Sequence, residues 1–185
     1  MEQFPEIETS RLQLNELRSK DIPWIVKYAS NKKIWDTTLN IPFPYTEQDA
    51  VYWLNLAHQG FKEGDQVIFA IRLKPALEFI GGISLTVDKR FDRAEIGYWL
   101  AEPFWGQGFM TEAAQSLVKY GFEQLDLNKI TSSHFETNPA SGKVLVKSGL
   151  KKEGELKEHI KKHSAYHTLV VYGLTQKEYE NKAAQ

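Results

Sequence analysis

The feature that most constrains the fold of this chain is a strand, a glycine-containing loop and a helix in direct succession. Residues 94–100 alternate as a half-buried strand does, and Gly106 and Gly108 lie in the loop that follows. Apolar residues then recur at helical spacing from about Met110 to Gln124. Glycines let a loop turn its N–H groups outward, and a helix start carries positive partial charge. This segment therefore predicts either a phosphate-binding loop or an ordinary turn with two conformational glycines.

The rest of the chain predicts antiparallel strands first and crossover units afterwards. The predicted order is a strand at 7–17, a short helix capped by Asp21, a helix opened by Thr46 and Asp49 and ended near Gly60, strands at 67–73, 79–87 and 94–100, the helix at 110–124, a strand at 129–137, a helix from Asn138 to Gly149, and strands at 150–157 and 165–175. This order is typical of an α/β (α+β) fold with a mixed, mostly antiparallel sheet and helices on both faces.

Composition excludes several classes of protein. A length of 185 residues predicts one domain over residues 1–185, and zero cysteines exclude disulfides and a cysteine nucleophile. The net charge of −1 gives no reason to expect nucleic acid or anionic lipid as a partner. No apolar run is long enough for a bilayer, and the acidic start lacks the core of a signal peptide. We therefore expect a cytoplasmic protein that contacts no membrane.

Two nucleotide-binding motifs can be tested directly against the glycine positions. A dinucleotide fingerprint requires a third glycine where this chain has Thr111. A P-loop requires serine or threonine after Gly142-Lys143, where Val144 stands, and an earlier glycine where Thr137 stands. Neither motif is present.

Three separated segments carry a resemblance to a known family. Trp105-Gly106-Gln107-Gly108-Phe109 is similar to the pyrophosphate-binding motif of the GNAT acetyltransferase superfamily, Arg/Gln-x-x-Gly-x-Gly/Ala, with Pro103 at its first position. Asn138-Pro139-Ala140-Ser141 resembles the second signature of the same superfamily. The segments Glu8–Leu12 and Pro44–Ala50 resemble its RimJ/RimL branch, the ribosomal-protein N-terminal acetyltransferases. The resemblance spans essentially the whole chain.

The resemblance implies the GNAT fold and an acetyl-CoA-dependent N-acetyltransferase that needs no metal. In that superfamily the strand before the loop separates from its neighbour, and pantetheine pairs with the exposed backbone. The implied contacts with acetyl-CoA involve the strand end, the loop and the second signature: Tyr98, Trp99, Leu100, Trp105, Gly106, Gln107, Gly108, Phe109, Met110 and Asn138. The thioester belongs to the cofactor, so the lack of cysteine is no objection.

Two residues are candidates for proton transfer. Strand alternation puts Glu95 on one face with Gly97 and Trp99, so Glu95 is our candidate base in a partly desolvated cleft, the alternative being a surface glutamate. Many members of the superfamily carry a tyrosine acid seven residues after the signature asparagine, where this chain has Leu145. Ser141 is therefore our candidate for protonating or relaying to the leaving thiolate, the alternative being a capping residue.

The acceptor is expected to be a primary amine. A protein N-terminus is on the order of 10% neutral at pH 7, whereas a lysine is well under 0.1% neutral, so an N-terminal amine needs only a modest base. Phe43 and Tyr45, in a proline-bracketed loop expected at the surface, are the candidate substrate-binding residues. The alternatives are a small amine, such as a polyamine, an amino acid or an aminoglycoside, or a CoA-binding protein without catalysis.

Two weaker features of the sequence concern metal binding and assembly. Three histidines at four-residue spacing, His159, His163 and His167, predict solvated turn residues rather than a metal site. The final hairpin offers an edge strand, so either a monomer or a homodimer is expected.

Overall fold

The computed structural model describes residues 3–183, so the first two and last two residues of the predicted domain lie outside it. Within that range lie eight strands: β1 Ile7–Glu8, β2 Leu12–Glu16, β3 Gln66–Leu73, β4 Glu78–Asp88, β5 Arg93–Leu100, β6 Lys129–Phe135, β7 Lys151–Lys162 and β8 Ala165–Thr175. The same range holds six α-helices: α1 Ile22–Ala29, α2 Lys32–Thr37, α3 Glu47–Glu63, α4 Phe109–Glu123, α5 Pro139–Lys147 and α6 Gln176–Ala183. None of these helices combines the length and apolarity that crossing a bilayer requires.

All eight strands form one sheet in the order β1-β2-β3-β4-β5-β6-β8-β7. Every neighbouring pair is antiparallel except β5 and β6, which run parallel because α4 crosses over between them. The predicted fold class, a mixed and mostly antiparallel sheet with helices on both faces, is confirmed.

Two separate cores cover the two faces of this sheet. Strand β3 shows why, because Phe69 and Ile71 join the core beneath α4 and α5 while Ile68 and Ala70 join the core beneath α1, α2 and α3. Side chains of a strand alternate between its faces, so a strand that is apolar at successive positions must be covered on both sides. We refer to the two sides as the α4–α5 face and the α1–α3 face.

The structure corrects several predicted boundaries. The first predicted strand is two strands, β1 and β2, joined by a tight turn at residues 9–11, and β7 extends to Lys162 instead of residue 157. Helix α3 continues past Gly60 and ends at Gly64, which has the left-handed φ of 69°. Gly60 serves close packing instead, since a Cβ there would lie 2.8 Å from the Cβ of Gln66. Helices α2 and α6 were missed.

The prediction that Asp21 caps α1 is wrong in its chemistry. Asp21 occupies the N-cap position, but its side chain makes no cap hydrogen bond. Both carboxylate oxygens accept from the Arg72 guanidinium, at 2.9 and 2.8 Å, and the two side chains are only 3% and 5% exposed. Arg72 also donates to Asn15 at 2.6 Å. A buried ion pair, and not a cap, therefore joins β3 to the start of α1.

Candidate active site

Strands β5 and β6 pair only at their beginnings and then separate. Their parallel register ends at Glu95 opposite Thr131, although β5 continues to Leu100 and β6 to Phe135. Just beyond the last pair, the Ser132 hydroxyl donates to the Ile96 carbonyl at 2.9 Å, which holds the strands together at the root of the opening. The separation that the resemblance implies is therefore present.

The backbone of β5 is divided between β4 and this opening. Ala101 N–H donates to Ile80 on β4 at 2.9 Å, and alternate residues of a strand direct their backbone groups to opposite sides. Tyr98 and Leu100 therefore face the opening with their backbone groups, while Trp99 faces β4. The Leu100 carbonyl accepts from the Trp105 indole N–H at 2.7 Å.

The glycine loop presents a row of backbone donors at the start of α4. Gly106 and Gly108 have φ angles of 75° and 82°, a region that favours glycine. Across residues 3–183, no acceptor takes a backbone N–H of residues 106–111, whereas Glu112 N–H donates to Gly108 at 3.0 Å. A helix N-terminus leaves such donors unpaired and adds partial positive charge. The arrangement suits a phosphate or pyrophosphate group.

The remaining loop side chains have structural contacts. Phe109 and Met110 are buried in the core of the α4–α5 face. The Gln107 amide donates to the Pro103 carbonyl at 3.0 Å, and the Trp105 ring is 41% exposed. The Trp105 and Gln107 side-chain donors are therefore engaged, whereas the backbone N–H groups of residues 106–111 have no acceptor in the described part of the chain.

On the α4–α5 face, a tyrosine bridges the opening to α5. The Tyr98 hydroxyl lies 2.8 Å from Ser141 Oγ and 3.1 Å from the Ser141 carbonyl, to which it can donate. Burial raises the pKa of Tyr98 to about 12, although its hydrogen bond with Ser141 acts in the opposite direction. The sequence predicts a role for Ser141, but for Tyr98 it predicts a role of the backbone only. The hydroxyl pair could be found only from the structure, because 43 residues separate its members.

Asn138 opens α5, as predicted, and its side chain accepts from Ser141 N–H at 3.4 Å. Behind it, α5 lies close to the sheet at Gly142, where a Cβ would be 2.6 Å from His134 Nε2 and 3.0 Å from the Tyr172 hydroxyl. His134 donates from Nδ1 to the Phe135 carbonyl at 2.7 Å, and its buried Nε2 has no partner among the described residues. Gly142 thus sets how closely Ser141 approaches β5.

On the opposite face, Glu95 is exposed and does not lie in the partly desolvated cleft that we expected. On the same face, Trp53 of α3 covers Trp99, four residues further along β5, at a ring distance of 6.0 Å. The candidate base and the Tyr98–Ser141 pair consequently lie on opposite faces of the opening.

The two candidate substrate-binding residues have different surroundings. Phe43 is 46% exposed, as predicted for a surface loop, and packs on Trp35 at 5.7 Å. Tyr45 is 8% exposed and belongs to the core, so the expectation that it lies at the surface is wrong. The loop carries Tyr45 inward because its carbonyl accepts from Ser30 at the end of α1, at 3.0 Å.

The tip of the β7–β8 hairpin closes this side of the molecule. Lys162 donates to the carbonyls of Trp35 and Thr38, the latter at 2.6 Å, and the His163 ring lies 4.8 Å from that of Trp35. His167 contacts Phe135 at 4.9 Å. These two histidines therefore pack on aromatic rings, and the described residues hold no group of three metal-ligating side chains.

A cluster around Glu112 was missed because its members are distant in sequence. The carboxylate accepts from the Thr9 hydroxyl at 2.6 Å, from the Ser10 hydroxyl at 3.0 Å and from Arg11 twice. The cluster joins the β1–β2 turn to the first turn of α4. The four-residue run Thr9-Ser10-Arg11-Leu12 was noted only as part of the family resemblance.

Comparison with known proteins agrees with this geometry. Residues 11–151 match the family model described as an acetyltransferase (GNAT) domain. An uncharacterised N-acetyltransferase p20 of Bacillus licheniformis is 31% identical over 172 residues, which cover 92% of this chain and 96% of p20. The ribosomal-protein-serine acetyltransferase of Escherichia coli is 29% identical over 164 residues, covering 87% and 90% of the two chains.

A solved structure shows the same fold. RimL, described as a ribosomal L7/L12 alpha-N-protein acetyltransferase and solved in complex with coenzyme A, superposes with a TM-score of 0.84 at 20% identity, covering 92% of this chain and 98% of RimL. The match to the family model covers more than half of the sequence, and the relatives of similar length are N-acetyltransferases. This chain therefore belongs to the GNAT acetyltransferase family and is an N-acetyltransferase.

Proposed function

We propose that this chain transfers the acetyl group of acetyl-CoA directly to a primary amine, and that the amine is the N-terminus of a ribosomal protein. The observation that supports this most strongly is the separation of β5 from β6 beside a loop whose N–H groups are unpaired. Coenzyme A needs both features together, a slot with free strand backbone for pantetheine and a cluster of donors for pyrophosphate.

In this proposal, Tyr98 and Leu100 supply backbone groups to pantetheine, and the N–H groups from Gly106 to Met110 hold the pyrophosphate. Asn138 and Ser141, at the start of α5, border the slot on the α4–α5 face. The thioester then lies between the two faces, with the amine approaching from the α1–α3 face past Phe43. Trp99 and Trp105 act by packing and by holding the Leu100 carbonyl, not through their own backbone.

The reaction requires the loss of one proton and the gain of another. The amine nitrogen attacks the thioester carbonyl carbon, the carbon–sulfur bond breaks, and the acetyl group remains on nitrogen. Glu95 takes the proton that the amine loses, through a water molecule, because the carboxylate is exposed on the acceptor side. Ser141 Oγ gives a proton to the departing sulfur, and Tyr98 can turn its O–H from the Ser141 carbonyl to Oγ to replace that proton. The tyrosinate left at Tyr98 then takes a proton from solvent water, which restores both hydroxyls.

Two arguments favour a protein N-terminus as the acceptor. An α-amino group with a pKa near 7.7–8.0 is on the order of 10% neutral at pH 7, so an exposed carboxylate acting through water is a sufficient base. The similarity to proteins described as ribosomal-protein acetyltransferases extends over nearly the whole chain.

The experiment measures release of the CoA thiol by the full chain, which contributes no thiol of its own because it has no cysteine. The acceptors are a serine-initiated peptide without lysine, the same peptide with a blocked N-terminus and one internal lysine, and spermidine. We expect thiol release with the free N-terminus only. Release with spermidine alone would contradict the ribosomal acceptor, and release with none of a panel of amines would contradict catalysis.

A further inference from the structure

Arg11 reaches the glycine loop from a distant part of the chain. It lies in the turn between β1 and β2, 96 residues before Gln107, yet its Nη1 donates to the Gln107 carbonyl at 3.0 Å. Its Nε donates to Glu112 at 2.7 Å, and its Cζ lies 4.5 Å from the centre of the Phe109 ring. Two hydrogen bonds and a ring contact thus hold the guanidinium against the loop and the start of α4.

The third nitrogen of this guanidinium points along the loop. Arg11 Nη2 lies 3.4 Å from the position that a Cβ on Gly108 would occupy, and it has no acceptor within residues 3–183. A guanidinium has five N–H donors, of which the Glu112 and Gln107 bonds use two. The remaining donors lie beside Gly108, whose own N–H is unpaired.

The loop needs a cation from elsewhere because it has none of its own. Residues 101–112 contain two glutamates and no lysine or arginine. Pro103, which has no side-chain donor, stands at the motif position where the superfamily pattern has arginine or glutamine. A helix N-terminus offers only about half an elementary charge, which is small against the charge of a pyrophosphate.

Glu112 orients this cation without blocking it. Its Oε1 accepts from Thr9, Ser10 and the Arg11 backbone, while Oε2 accepts from Arg11 Nε. The carboxylate therefore occupies the Nε edge of the guanidinium and leaves Nη2 open. Because a guanidinium is planar and delocalised, fixing one edge also fixes the direction of the other donors.

We propose that Arg11 is a cofactor-positioning residue, whose guanidinium binds the pyrophosphate of acetyl-CoA beside Gly108 and replaces the polar side chain absent at Pro103. The inference rests on the proposed function, since it assumes that coenzyme A occupies the loop. A purely structural arginine would tie the β1–β2 turn to α4 and would affect all ligands alike.

The test compares Arg11→Met with the parent chain for two ligands, coenzyme A and pantetheine, which lacks the pyrophosphate. Calorimetric titration should show about 10- to 100-fold weaker binding of coenzyme A, the effect of losing a charge-assisted hydrogen bond, and less than a twofold change for pantetheine. Arg11→Lys, which keeps the charge but not the planar fork, should show an intermediate loss. Arg90→Met, a substitution of an exposed arginine in the β4–β5 turn, is the control and should change neither affinity.

Several outcomes would overturn the inference. Equal losses for coenzyme A and pantetheine would assign Arg11 a structural role, and unchanged binding of both would assign it none. If Arg11→Met does not fold, the same comparison is made with Arg11→Lys, where a loss confined to coenzyme A supports the inference and any other pattern refutes it. Failure of the parent chain to bind coenzyme A would overturn the proposed function and the inference together. Equal affinity of the parent chain and Arg11→Met for coenzyme A would overturn the inference alone.

Discussion

The two faces of the sheet meet the opening between β5 and β6 in different ways. On the α4–α5 face the Tyr98 and Ser141 hydroxyls are partly buried and bonded to each other. On the α1–α3 face the Glu95 carboxylate, at the last pair before the opening, and the Phe43 ring are exposed. The first face is organised before any ligand arrives, and the second depends on an acceptor to exclude water from it. In the proposed function, cofactor binding therefore rests on preformed geometry, and acceptor choice rests on side chains at the surface.

The largest expected effect is a loss of turnover without a loss of cofactor affinity. Glu95→Gln should lower kcat by about 10²- to 10⁴-fold, because it removes the proposed general base, while leaving the Kd for coenzyme A unchanged. Stopped-flow turnover and calorimetric titration measure the two quantities. Glu180→Gln, an exposed substitution on α6, is the matched control and should change neither. An equal loss of cofactor affinity in Glu95→Gln would show that the two faces are not independent.

A second substitution tests how much the buried ion pair on the α1–α3 face contributes to stability. Arg72→Met leaves the buried Asp21 carboxylate without its guanidinium partner, which should lower the free energy of unfolding by about 3–5 kcal/mol. Urea unfolding gives this value. Adding Asp21→Asn removes the unpaired charge, so the double variant should recover part of the loss. A double variant less stable than Arg72→Met would contradict this account of the pair.

Local and long-range features of the molecule differ in how far the sequence revealed them. The donors of the glycine loop and the start of α5 were predictable, because Gly106, Gly108 and Asn138 act through local backbone geometry within a few residues. The fold class followed from periodicity for the same reason. Helix α2 was missed because six residues are too few to establish a helical period.

Contacts between distant residues were not predictable. Asp21 has the residue type and position of a helix cap, and only the fold brings Arg72 to it across 51 residues. Tyr45 has the sequence surroundings of a surface loop, yet the hydrogen bond from Ser30 carries it into the core. Glu112 and Arg11 are 101 residues apart, so neither sequence position indicates their pairing. Residues of this kind acquire their role from tertiary structure.

A third experiment examines the Tyr98–Ser141 pair on the α4–α5 face. Ser141→Ala removes the hydroxyl next to Tyr98, and we expect kcat to fall about 10- to 100-fold with a stability loss of about 1 kcal/mol. The Kd for coenzyme A should change less than twofold.

Because the pKa of Tyr98 is raised to about 12, its hydroxyl stays protonated through the pH range of ordinary assays, so Tyr98→Phe should leave the alkaline side of the pH–rate profile unshifted. A shift of that limb would show that Tyr98 titrates during turnover.

The smallest expected effect tests the Glu112 contact, which joins the β1–β2 turn to the first turn of α4. Burial alone would raise the pKa of Glu112, but hydrogen bonds from Thr9, Arg11 and Ser10 lower it to about 2, from 4.5 in an unfolded chain. Because the folded value is the lower one, ionised Glu112 stabilises the fold fully above about pH 4.5 and loses that contribution as the pH falls toward 2. The difference in Tm between the parent chain and Glu112→Gln should therefore be constant from pH 6 to 8 and shrink below pH 4.5. A difference that stays constant down to pH 2.5 would mean that the negative charge of Glu112 contributes nothing to stability. The β1–β2 turn would then remain in place with Glu112 protonated.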